Sequence, residues 1–349
     1  MREKYDRMSV ANYLIQKRLY YEGKDCPMSI TVVLQQMIMI FILIGVGMIL
    51  FKKEMLSEAT SKQISGIIVN VTNPALLICS AFGDGPKMSW QELASVFAVF
   101  VVVYAILIVV SYLIPRILLV PNHHHYSYQM LTVFGNVGFI GIPLASAVLG
   151  TQSLIFVSIY NLIFNIVIYT FGISLLQKAA ARQSSETGES QPGISDTNVT
   201  SLHWKKLINA GTISAAATII FYLADFPVPV IVPSTLTYMG QSTTLLSMIV
   251  LGAAVAQMTL KDIFAHPKLY GFILFRQILI PVSCVLLFRP FISNTLVLNT
   301  LALMLAVPAG NMSLMLSKQL HVEADTISQG IILTTLLSLV TIPVVSLIL

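Results

Sequence analysis

Long apolar stretches alternate with short polar ones along the whole chain. No charged residue interrupts 26–51, 63–83, 93–115 or 117–177. The last of these is long enough for two helices, with Pro121-Asn122-His123-His124-His125 as the loop leading in and Gly150-Thr151-Gln152 as the turn between them. Further apolar stretches follow at 207–224, 234–257, 268–288, 296–317 and 325–349. About 20 apolar residues span the hydrocarbon of a bilayer. Only helices and closed barrels satisfy every backbone group there, and these runs are too long and continuous for barrel strands. The pattern predicts an all-α membrane protein with ten transmembrane helices.

Composition agrees. Of the 349 residues 56% are hydrophobic and 10% charged, with mean hydropathy +0.82, whereas a soluble domain carries roughly 25% charged residues. The lipid bilayer is therefore an expected partner. The net charge of +5 sits in short connections rather than on one face, which argues against a nucleic-acid partner.

Lysines and arginines in the loops set the orientation. Lys52, Lys53, Lys62, Arg116, Lys178, Arg182, Lys205, Lys206, Lys261, Lys268 and Lys318 all follow odd-numbered helices, and only Lys87 and Arg289 follow even ones. The odd loops are expected in the cytoplasm and both termini outside, in a multi-pass protein of the cytoplasmic membrane. Residues 1–27 conflict with this through six basic residues; they read either as a tail that is not native, with Met28 as the start, or as an amphipathic segment lying on the membrane surface, the first being preferred.

Arg182 to Ser201 is polar and aperiodic, and block 178–203 reads as a flexible cytoplasmic linker. Five helices precede it (28–177) and five follow (204–349). A repeat with an odd number of spans inserts its second copy upside down, so the layout predicts two inverted five-helix repeats with the site between them.

The fourth helix contains Phe134-Gly135-Asn136-Val137-Gly138-Phe139-Ile140-Gly141-Ile142-Pro143, and the ninth Val307-Pro308-Ala309-Gly310-Asn311-Met312-Ser313. Pro143 leaves the carbonyl of Phe139 without its helical partner, and Pro308 does the same to Met304. Paired breaks at equivalent places mark a transporter's binding site. Each break exposes N–H groups with partial positive charge, suited to an anion. The expected substrate-binding residues are Gly135, Asn136, Gly138, Pro143, Pro308, Gly310, Asn311, Ser313 and Arg276, with the two asparagines foremost. Arg276 is the one charge well inside a span. It either meets the anion or plays a structural part, snorkelling or donating to broken-helix carbonyls, and the structural reading is preferred.

These motifs resemble the auxin efflux carrier family, which includes plant carriers and bacterial organic-acid permeases. The similarity is carried by GNVGFIGIPLA, VPAGNMSLMLSKQLHVEADTISQG, Asn73-Pro74, Leu251-Gly252, and Arg276 with Pro281. It covers roughly 28–349. The resemblance implies broken fourth and ninth helices that cross at the substrate site. It also implies a scaffold of the first, second, sixth and seventh helices (28–82 and 204–257) and a transport domain of the rest (92–177 and 268–349). Plant members usually have Pro-Asn where this chain has Gly135-Asn136, which implies a softer break. The long cytoplasmic loop of many plant members is missing, as in prokaryotic-type relatives.

Other chemistry is thin. Cys26, Cys79 and Cys284 are far apart, and His123-His124-His125 cannot converge on one ion, so no metal site is expected. There is no phosphate-binding glycine loop and no nucleophile paired with a base, so neither ATP drive nor enzyme activity is expected. No cofactor is expected. No carboxylate lies deep in a span, Asp225 and Asp325 being at ends. A coupling ion, H+ or Na+, is left open, and a homodimer is one assembly the sequence allows. The reading is a secondary carrier of a small organic anion, such as malate or an auxin-like acid, working by alternating access. A channel-like pore and a membrane-embedded ligand sensor are the alternatives.

Overall fold

The computed structural model describes residues 30–82, 87–187, 208–224, 228–257, 267–320, 322 and 324–348. The tail 1–27 and most of the expected linker lie outside the described residues.

The main helices among the described residues are α1 (Ile30–Lys52), α2 (Glu58–Phe82), α3 (Trp90–Ile117), α4 (His125–Val133), α5 (Val137–Leu149), α6 (Thr151–Gln183), α7 (Ala210–Ala224), α8 (Ile231–Ala256), α9 (Pro267–Phe288), α10 (Thr295–Ala306), α11 (Asn311–Gln319) and α12 (Asp325–Ile348). Among the described residues there is no strand, only an isolated bridge between Gly135 and Ala309. Among the described residues seven helices (α1, α2, α3, α6, α8, α9 and α12) are long and apolar enough to cross a membrane. α5, α7 and α10 are apolar but shorter.

Helices outrun the uncharged stretches. α2 starts at Glu58, where Ser57 accepts from the N–H of Thr60. α3 starts at Trp90 behind a reciprocal cap in which Ser89 and Glu92 each satisfy the other's backbone N–H. The final helical stretch before the linker runs Ile173–Thr187, so the linker expected from 178 begins as helix. Lys, Ala, Arg and Gln are good helix formers; charge ends the apolar run there and leaves the helix intact.

α1 and α8 pack closely. A Cβ on Gly47 would stand 2.8 Å from the Cα of Ile249, and one on Gly252 would stand 2.9 Å from the Cα of Gly47. Gly240 on α8 likewise faces the Cα of Leu76 on α2 at 2.9 Å. Small residues of this kind let membrane helices approach backbone to backbone. α7 joins them by packing on α2 and α6. The outer faces stay apolar: Leu34, Ile38, Ile42, Val46 and Ile49 form an exposed stripe on α1, and Ile231 and Tyr238 are exposed on α8. Such a surface matches hydrocarbon rather than water.

The rest of the core surrounds the two broken helices. Phe134 packs edge-on against Phe164 of α6 (5.8 Å between centroids), and Tyr160 packs against Phe100 and Tyr104 of α3. Gly330 of α12 lies against Leu131 of α4.

Candidate functional site: the helix crossover

Regular helix stops at Val133 and at Ala306, and the two interruptions meet. Phe134 and Val307 are extended, with φ −106°, ψ 95° and φ −57°, ψ 145°. Val307 precedes a proline, which disfavours the helical region for it. Three residues of each segment then run antiparallel: the N–H of Asn136 donates to the carbonyl of Pro308 at 2.7 Å, and that of Gly310 donates to the carbonyl of Phe134 at 2.8 Å. The bridge centres on Gly135 and Ala309.

Glycine is required at the contact. A Cβ on Gly310 would sit 2.6 Å from the carbonyl oxygen of Gly135. One on Gly135 would sit 2.9 Å from Cγ2 of Val307 and 3.0 Å from Nη2 of Arg276. The missing side chain at Gly135 is what admits the crossing chain and the guanidinium.

Beyond the contact, α5 opens with a wide turn (Val137–Gly141) capped by Asn136, whose Oδ1 accepts from the N–H of Phe139 at 3.2 Å. Asn136 is 3% exposed, and its Nδ2 has no partner. α11 opens at Asn311 behind Gly310, without a side-chain cap. Asn311 is half-buried, and Ser313 is buried with an unpartnered Oγ. The asparagines thus differ in place: Asn136 stands before its helix as the cap, and Asn311 is the first residue within its own.

Pro143 is not at the break. It lies in the second turn of α5. In the wide turn the N–H of Ile142 reaches five residues back to Val137, and that register sets Pro143 opposite the carbonyl of Gly138. The amide of Asn73 on α2 donates to that carbonyl at 2.9 Å. The same pattern recurs where wide turns at Ile68–Thr72 and Leu274–Leu279 precede Pro74 and Pro281, each ending two residues before its proline. Gly138 itself has room, since its Cβ would meet the Asn73 amide at an ordinary 3.5 Å.

Arg276 lies in the wide turn of α9 and is completely buried. Its Nε donates to the carbonyl of Leu131 at 3.3 Å and its Nη1 to that of Leu305, so one guanidinium covers the last turns of α4 and α10 together. Both carbonyls lost their helical partners at the breaks. Gln277, also fully buried, donates to the carbonyl of Thr334 on α12 at 2.9 Å. The hydroxyl of Thr334 accepts from the N–H of Ala309 at 3.1 Å. Asn73, Gln277 and Thr334 were not among the expected site residues. The first two were visible as uncharged polar residues inside apolar runs, while Thr334 gave no signal beyond being a threonine in a span.

The histidine run is occupied elsewhere: His124 pairs with Thr326 at 3.1 Å, and a ring nitrogen of His125 with the carbonyl of Val120 at 2.9 Å.

The crossover is a paired helix break with buried polar groups that lack partners, set inside an apolar bundle. A family model described as membrane transport protein matches residues 32–346. The chain belongs to the auxin efflux carrier family. This auxin efflux carrier family member is thus a membrane transporter, and its family is one of transporters rather than enzymes. The match includes the crossover, Asn73, Arg276 and Thr334. A search among curated proteins gave no match.

Proposed function

We propose that this family member is a secondary carrier that moves a small organic anion across the cytoplasmic membrane by alternating access, with the substrate held at the crossover. The observation that carries the reading is the meeting of two half-helix starts beside buried polar atoms without partners: Nδ2 of Asn136, Nη2 of Arg276 and Oγ of Ser313. Helix starts attract anions, and a buried donor without a partner costs about 1–3 kcal/mol until a ligand satisfies it. Gly135, Gly138, Pro143, Pro308 and Gly310 shape the site, and Asn136, Asn311 and Ser313 contact the ligand.

The reading includes ten spans in two inverted repeats, α4 with α5 forming the fourth and α10 with α11 the ninth. Gly135-Asn136 and Gly310-Asn311 then hold equivalent places. It also includes a scaffold of α1, α2, α7 and α8, which the glycine contacts between α1 and α8 and between α2 and α8 support. Both termini lie outside and the 178–203 segment in the cytoplasm, supported by the distribution of basic residues. The test is counterflow in proteoliposomes with a panel of radiolabelled mono- and dicarboxylates. A carrier gives saturable uptake stimulated by unlabelled substrate on the far side. Flux that neither saturates nor shows counterflow would identify a channel instead.

A further inference from the structure

Four half-helix ends meet at the crossover, and their partial charges oppose one another. α4 and α10 end there on carbonyls, each end worth roughly half a negative charge, while α5 and α11 begin there with roughly half a positive charge each. What remains is Arg276, one full positive charge at 0% exposure. Backbone carbonyls hold it, so no formal charge offsets it. The titratable groups that face it are Tyr160 on α6, Tyr104 on α3 and Cys284 on α9, all of types that are neutral near pH 7. Among the described residues no aspartate or glutamate is buried, and no second lysine or arginine is. The third nitrogen of the guanidinium, Nη2, has no partner and lies against Gly135, 3.0 Å from where a Cβ there would stand.

We propose that the crossover accepts a ligand with a single negative charge, Arg276 acting as its fixed countercharge from beneath Gly135, and that diacids enter only in their singly protonated form. This rests on the crossover being the anion site. A monoanion over Asn136 and the helix starts leaves the loaded crossover electrically neutral. A dianion would leave one negative charge buried without a cation, and buried charge without a partner is strongly disfavoured. A neutral analogue would leave the arginine uncompensated. Arg276 is a positioning residue in this account, because it acts through the backbone it grips and through its field.

The experiment uses the full chain, purified in detergent, with diacids of four to eight carbons, their monomethyl esters and their dimethyl esters. Binding is read as ligand-dependent thermal stabilisation over a concentration series. At neutral pH the best monoester should bind about tenfold or more tighter than the diacid of the same length, and the diester should not bind. As pH falls through the second ionisation of the diacid, its apparent affinity should rise toward that of the monoester, whose own affinity stays level. In Arg276→Gln this preference for one charge should be lost, with monoester affinity falling toward that of the diester. The wild-type pH series decides the matter even where that variant does not fold. Diacids that bind at neutral pH as tightly as their monoesters, with no gain on acidification, would overturn the inference while leaving an anion site at the crossover. A panel in which no compound binds at either pH would overturn the anion-site reading, and this inference with it.

Discussion

Interrupting a helix inside a membrane strands carbonyl and N–H groups, and at this crossover side chains from other helices take them up. Asn73 takes the carbonyl of Gly138, Arg276 those of Leu131 and Leu305, and Thr334 the N–H of Ala309. Water cannot replace these partners in hydrocarbon. Replacing Thr334 with valine keeps the shape and removes the acceptor, leaving the Ala309 N–H alone. That should cost about 1–3 kcal/mol, seen as a lower melting temperature in detergent with insertion unchanged; an unaltered melting temperature would show that this bond is dispensable. Gly310→Ala should be worse, because the new Cβ meets the Gly135 carbonyl at 2.6 Å and the contact between the two chains must open. Overpacking of this kind costs about 1–3 kcal/mol, and loss of binding should accompany it. Alanine tolerated at 310 in both assays would mean that the chains do not touch as described.

At the level of elements, sequence pattern located the breaks but not their form. Glycine, asparagine and proline inside apolar runs pointed to the fourth and ninth helices because each residue type weakens a helix by a known route. The pattern could not separate a proline that ends a helix from one that follows a widened turn. Pro308 belongs to the first kind, Pro74, Pro143 and Pro281 to the second. The distinction depends on which partner takes the freed carbonyl, and Asn73 is 65 residues from Gly138 in sequence. Arg276 shows the same limit: its place well inside a span was readable from the sequence, but its two carbonyl partners come from helices far away in the chain. Helix ends were misplaced at α2 and α6 because loss of apolar character was equated with loss of helix. One consequence separates the two kinds of proline. In Pro308→Ala the new N–H can pair with the carbonyl of Met304 and prolong α10, so transport should suffer more than binding. Pro143→Ala adds an N–H where Asn73 already donates, and its effect should be smaller. Equal transport rates in the two variants would contradict this.

Across the whole molecule, two features await test: the tight helix pair and the disposition in the membrane. Gly252→Val should disrupt the contact between α1 and α8, lowering yield of monodisperse protein by a large factor, since the side chain would enter the backbone of α1. In a cysteine-free background, cysteines at Thr151 and Arg182, near the two ends of α6, should label from opposite sides, with Arg182→Cys reached only from the cytoplasm. Labelling of both from one side would defeat the five-plus-five layout. The claim on which everything else depends is that the crossover holds the substrate, and the direct measurement is substrate affinity in Asn136→Ala and Asn311→Ala, each checked for normal insertion and monodispersity. A lost hydrogen bond to a charged ligand is worth about 1.5–3 kcal/mol, so affinity should fall roughly ten- to hundredfold in each. Wild-type affinity and transport in both variants would place the substrate elsewhere and contradict the account.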